Sequence, residues 1–112
     1  MPLLLGPVGV LDLAHREADL PAARAAAAMG IPFVTSSQAS RPLETIARAI
    51  GDGPRWFQLY WSARNELTAS FVARAERAGY EAIVVTLEQN LTDRSHWGFL
   101  SASKFDSPCW LG

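Results

Sequence analysis

The chain reads as an α/β protein: part of a (β/α)8 barrel, with about four parallel strands, covering helices and an irregular C-terminal tail. Three observations predict this. Short apolar runs alternate with amphipathic segments, the pattern of strands joined by covering helices in a parallel sheet. The runs recur roughly every 25 residues, close to the roughly 30 that one βα unit of such a barrel uses. At that rate 112 residues hold about half of the eight units. An open flavodoxin-like sheet is the architectural alternative, although no G-x-G-x-x-G turn follows the first run.

Each element has its own signal. Leu3-Leu4-Leu5, closed by Gly6-Pro7-Val8-Gly9, predicts a buried strand that ends in a loop. A helix follows over Glu17–Met29, with Leu20, Ala23 and Ala27 on one face and Gly30 as its terminating glycine. Ile31 to Thr35 predicts a second strand, with Pro32 near its start, where a missing N–H does little harm. Ser36 to Ser40 is a polar turn. A second helix starts near Pro42, keeps the helical period through Leu43, Ile46, Ala47 and Ile50, and stops at Gly51. Arg55 to Trp61 is an aromatic-rich third strand. A third helix carries Asn65 as N-cap, the stripe Leu67, Phe71, Ala75 and Ala78, and a closing Gly79. Ala82 to Leu87 has the unbroken β-branched character of a strand buried on both faces. From Gln89 neither period is clear. The expected division is therefore a half-barrel over residues 1–88 and an irregular tail over 89–112.

Composition narrows the function. Ten Lys and Arg against 11 Asp and Glu give a formal charge of -1, which offers no footprint for nucleic acid or an acidic membrane surface. Apolar residues at 49% and charged residues at 19% describe a globular chain. The apolar stretch Pro2 to Leu13 is too short to span a bilayer, is broken by Gly6, Pro7 and Gly9, and lacks a signal peptide's basic start. The one cysteine, Cys109, can form neither an internal disulfide nor a Cys-based metal site, so a cytoplasmic setting is expected. No Walker loop, metal-ligand cluster or Ser-His-Asp arrangement occurs.

Ligand-binding residues of parallel α/β folds sit at the carboxyl ends of strands. That rule selects four places. Gly6 to Gly9 let backbone N–H groups approach a flat or anionic ligand, or simply form a tight turn. Ser36 and Ser37 are hydroxyl donors at the rim, or a helix-capping cluster. Gln58 and Tyr60 lie at i and i+2, so they point together toward the barrel interior. A buried amide there needs partners, because leaving it unpaired costs about 1–3 kcal/mol. Thr86 and Glu88 repeat that spacing, and a strand-end carboxylate can orient an imidazolium or simply face solvent. His15 suits a structural hydrogen bond, and His96 lies in the unpatterned tail. Trp56, Phe57 and Trp61 read as packing residues and Arg55 as a solvated charge.

Four of these segments together resemble a known family. Pro2 to Gly9, Ile31 to Ser37, Arg55-Trp56-Phe57-Gln58-Leu59-Tyr60 and Val84 to Glu88 are similar, in register, to the FMN-dependent α-hydroxy-acid dehydrogenases and oxidases. Gly51 to Trp61 is most similar to the lactate 2-monooxygenase-like branch. The resemblance implies a (β/α)8 barrel with FMN at its C-terminal mouth. It implies that Pro7, Val8 and Gly9 lie beside the isoalloxazine ring, with Gly9 where the family usually has Ala. Ser36, Gln58 and Thr86 correspond to groups that bind the flavin, and Tyr60 to the tyrosine that contacts the substrate carboxylate or hydroxyl. Glu88 stands where the family has Asp, partner of the catalytic histidine. Ser95 stands where the family has a carboxylate-binding arginine, with Arg94 one place before it. The family's catalytic His, a second arginine and a lysine near flavin N1 match no residue here.

The implied activity is oxidation of a small 2-hydroxy acid such as L-lactate to the 2-oxo acid, with the isolated chain inactive. The alternatives are a non-catalytic flavin-binding module, a half-barrel that self-associates through open strand edges, and an inactive truncated product.

Overall fold

The structure is a computed structural model that describes residues 2–87 and the backbone of 98–104. Helix α1 (Leu20–Met29) leads to strand β1 (Phe33–Ser36), α2 (Leu43–Ile50), β2 (Arg55–Tyr60), α3 (Asn65–Arg77), β3 (Ala82–Leu87) and β4 (Gly98–Lys104). The sheet order is β1-β2-β3-β4. β1, β2 and β3 are parallel, and the helices between them are crossovers. This is the partial α/β sheet that the periodicity predicts, open and with three parallel strands where about four are expected.

Packing follows the strand alternation. Phe57, Leu59 and Ile83 point toward the helices and form one buried cluster with Leu43, Ala47, Ala75 and Tyr80. Phe57, 1% exposed, lies 5.8 Å from Phe71 and 5.9 Å from Tyr80 between ring centroids. Burying such a side chain stabilises by about 1.5–3 kcal/mol. A second cluster joins Ala23 and Ala26 of α1 to Phe33, Ile46 and Ile50. Leu43, Ile46, Ala47 and Ile50 are all buried, as their spacing requires.

Several elements differ from the sequence expectation, each for a local reason. Leu3–Leu5 is not a strand but a single parallel bridge, Leu5 to Phe33. Leu5 N donates to the Pro32 carbonyl and Val34 N donates to Leu5 O. The next rungs would need N–H groups from Pro32 and Pro7, which have none, so the ladder stops on both sides. Helix α1 starts at Leu20, not Glu17, because Ala18 adopts a left-handed φ of 53°. Arg64, not Asn65, is the N-cap of α3. Leu67 is 47% exposed, and Thr68 turns inward instead, its Oγ1 accepting from Ser62 N. Trp61 lies past the end of β2 and is 63% exposed, so it is not a packing residue.

Arg55 is not a free solvated charge either. Its guanidinium donates to the carbonyls of Gly51 and Gly79, tying together the ends of α2 and α3. The tail contains β4, which pairs antiparallel with β3 and covers the β3 edge. His15 accepts a hydrogen bond from Glu17 N at Nδ1, a structural contact. Glu88, Arg94, Ser95 and His96 lie outside the described residues.

Candidate functional site

The face of the sheet opposite the helices carries the residues that alternate with the core: Ser36 on β1, Gln58 and Tyr60 on β2, Val84 and Thr86 on β3. Parallel register puts Ser36 level with Gln58 and Tyr60 level with Thr86. All lie near the carboxyl ends of their strands. The i, i+2 spacing does what it requires: Gln58 and Tyr60 share this face.

Gln58 is the centre of the arrangement and is 2% exposed. Its Oε1 accepts from Ser36 Oγ at 3.3 Å and from Ser37 N at 3.3 Å. Its Nε2 donates to Thr86 Oγ1 at 3.0 Å. A backbone N–H can only donate, so the Ser37 amide fixes which end of the Gln58 amide faces β1. The NH2 end must then face β3. One amide thus spans three strand ends in a single orientation.

The Gly6–Gly9 loop joins the same rim. Leu5 is bridged to Phe33, and Val10 N donates to Gln38 O at 3.0 Å, so the loop runs along the outer edge of β1. Gln38 packs on Gly9 so closely that a Cβ there would sit 3.1 Å from Gln38 Cβ. Gln38 N in turn donates to Ser36 Oγ at 3.0 Å. Contacts therefore run without a break from Gly9 through Gln38, Ser36 and Gln58 to Thr86. Pro7 and Val8 are exposed, Tyr60 and Thr86 half-buried.

The hydrogen-bonding capacity left over defines what this rim can hold. Gln58 Nε2 has a second N–H to give. Thr86 accepts from Gln58, so its hydroxyl proton is free to point elsewhere. Ser36 Oγ donates once and accepts once, which leaves one lone pair. Ser37 Oγ is the one buried side-chain polar atom without a partner among the described residues. The rim can thus present two donors and an acceptor to a flat polar edge. Among the described residues no group of three or more His, Cys, Asp or Glu is placed to hold a metal. No described helix is long and apolar enough to cross a membrane.

Sequence reasoning selected Ser36, Ser37, Gln58, Tyr60 and Thr86 but missed Gln38. Its role rests on touching Gly9, a contact between distant parts of the chain with no short-range signal.

Comparison with known proteins agrees with the fold. An L-lactate oxidase from Lysinibacillus sphaericus is 45% identical over 87 residues, 78% of this chain and 22% of that enzyme. An L-lactate oxidase from Alicycliphilus denitrificans is 48% identical over 90 residues, 80% of this chain and 24% of that enzyme. A mandelate oxidase structure with a C4a-OH-FMN adduct superposes with a TM-score of 0.73 at 41% identity, over 77% of this chain and 26% of that one. The chain thus spans about a quarter of the length of these relatives. Residues 1–103 match the family described as FMN-dependent dehydrogenase. With more than half of its length matched in this way, the chain belongs to the FMN-dependent dehydrogenase family.

Proposed function

We propose that residues 1–88 form the part of a 2-hydroxy-acid oxidoreductase that grips the polar edge of FMN. The observation that carries this reading is the Gln58 amide, locked between Ser37 N and Thr86 Oγ1 across three strand ends. The flavin pyrimidine edge alternates acceptor, donor and acceptor. The free donors on Gln58 and Thr86 and the free lone pair of Ser36 match that edge in number, two donors and one acceptor.

When bound, FMN takes up the two electrons that a 2-hydroxy acid loses on becoming a 2-oxo acid. The chain's own residues bind and orient. Gln58 and Thr86 would donate to the polar edge of the ring, and Ser36 would accept from it. By family resemblance, the backbone of Pro7, Val8 and Gly9 would flank the ring. Tyr60 lies on the same face at the level of Thr86, and by family resemblance it would meet a substrate carboxylate or hydroxyl. By family resemblance, Glu88 corresponds to the carboxylate that would orient the family's proton-accepting histidine, which no residue here matches. We further infer the lactate 2-monooxygenase-like branch, supported by residues 51–61, and a cytoplasmic setting, supported by the single Cys109.

The test is an anaerobic titration of the 112-residue chain with FMN, followed by L-lactate, glycolate and mandelate. Saturable quenching of flavin fluorescence is expected. Bleaching of the flavin by a hydroxy acid is not, because no residue here matches the family's base or its second arginine. Absence of quenching would overturn the binding assignment; rapid bleaching would overturn the expectation that the chain alone is inactive.

A second reading is self-association, not through the strand edges, since β4 covers that of β3 and the N-terminal loop borders that of β1, but through the exposed N-terminal segment. It is favoured by an exposed apolar run at the N-terminal edge, with Leu3 at 51%, Val8 at 53% and Leu13 at 86%. A monomeric mass on size exclusion would remove it.

A further inference from the structure

We propose that Asp19 is a positioning residue for the flavin edge, acting through the β1–α2 corner; this rests on the flavin reading above. Asp19 is 2% exposed. Although it stands at the start of α1, its side chain makes no capping bond to that helix. Oδ2 instead accepts from two backbone amides in the β1–α2 corner, Ser40 N at 3.0 Å and Arg41 N at 3.2 Å. No cationic side chain pairs with it among the described residues. A buried carboxylate needs donors, and this one takes them from the corner alone.

The left-handed turn at Ala18, φ 53°, sets the chain direction immediately before Asp19. Two neighbouring contacts tie the same corner to the same segment: Ser40 Oγ donates to Asp12 Oδ1 at 2.8 Å, and the Arg41 guanidinium donates to Arg16 O at 2.8 Å. Those two are exposed; the Asp19 bonds are not.

The corner has two ends. One is β1, ending at Ser36. The other is the Ser40–Arg41 pair that Asp19 holds. Between them lies Ser37 N, the donor that fixes the Gln58 amide. Releasing the far end lets Ser37 N drift from Gln58 Oε1, and the amide can then turn its oxygen toward the ligand. Asp19 never touches the flavin, yet it sets which end of Gln58 does.

The experiment compares Asp19→Ala and Asp19→Asn with the unchanged chain by two readouts. The first, free of flavin, is hydrogen exchange and chemical shift of Ser37 N–H and the Gln58 side-chain NH2 by NMR. The second is the FMN dissociation constant. Asp19→Ala is expected to speed exchange at both groups and to weaken FMN binding about tenfold or more. Asp19→Asn, whose Oδ1 can still accept both amides, is expected to restore both readouts to within about threefold. A loss of melting temperature alone, with Gln58 and FMN affinity unmoved, overturns the proposal and leaves Asp19 a structural residue. If the unchanged chain fails to bind FMN, the functional reading falls, while the Gln58 readout still decides the role of Asp19. If Asp19→Ala does not fold, Asp19→Ser, able to accept one of the two amides, must give an intermediate effect; unchanged Gln58 signals there also overturn it.

Discussion

Replacing Gln58 by Leu separates stability from ligand binding at one position. Three hydrogen bonds end on this side chain, two at 3.3 Å and one at 3.0 Å. Thr86 is half-buried and can turn to water, and Ser36 keeps its bond from Gln38 N. Ser37 N–H is left without its acceptor, at a cost of about 1–3 kcal/mol. Leu in a site 2% exposed recovers about 1–2 kcal/mol of apolar burial. The two nearly cancel, so the melting temperature is expected to fall by only a few degrees. Ligand binding has no such offset. The donor from Nε2 is gone, at about 1–1.5 kcal/mol, or roughly tenfold in the FMN dissociation constant. Gln58→Glu sharpens the comparison. It keeps the acceptor toward Ser36 and Ser37 but turns the donor toward the ligand into a second acceptor, so it is expected to bind FMN worse than the Leu variant. Fluorescence titration against thermal melting gives both numbers. A Gln58→Leu variant that binds FMN as tightly as the unchanged chain refutes the reasoning.

Two further expectations concern the scaffold behind the rim. Tyr80, 3% exposed, donates to the Leu43 carbonyl at 2.7 Å and lies 3.1 Å from Thr35 Oγ1, so Tyr80→Phe is expected to cost about 1–2 kcal/mol in denaturant unfolding. Burial pushes its hydroxyl up to about 12 from the usual 10.0, so the folded chain holds that proton where the unfolded chain has lost it. Its contribution is therefore intact below pH 10 and lost as pH rises toward 12, and Tyr80→Phe should flatten that decline. Glu44 shows the opposite sign. A hydrogen bond from Arg74, with bonds of 2.7 and 2.9 Å, holds its carboxyl at about 2 against the usual 4.5. The pair stabilises above pH 4.5 and is lost as pH falls toward 2. Both side chains are more than a third exposed, so solvent screening limits the effect to about 1 kcal/mol or less. Glu44→Gln should remove that part of the acid sensitivity, as read from urea midpoints at pH 3 and pH 6.

The sheet and its helices were legible where periodicity alone decides the outcome. Leu43, Ile46, Ala47 and Ile50 needed no knowledge of their partners to be placed inside, because the helical period puts them on one face. Gln58 and Tyr60 were legible for the same reason at period two. What stayed hidden depends on partners far along the chain. Leu3–Leu5 has the composition of a strand, but its length was decided by Pro32 on the neighbouring segment. Arg55 reads as a surface charge until Gly79, distant in sequence, offers its carbonyl. Asp19 carries no signal of its own in the sequence, and only the fold brings the Ser40 and Arg41 amides to it. Thr68 displaced Leu67 from the buried stripe because a loop N–H needed an acceptor.

The account stands on three strand ends forming one polar rim for a flavin, and the Gln58 side-chain amide reports on that most directly. In a 15N-labelled chain titrated with FMN, its NH2 resonances and the Thr86 backbone amide are expected to shift saturably, with the dissociation constant that fluorescence gives. Saturable FMN binding that leaves both unmoved, and instead shifts the arginine-lined groove of Arg48, Arg55, Arg74 and Arg77 between α2 and α3, would contradict it.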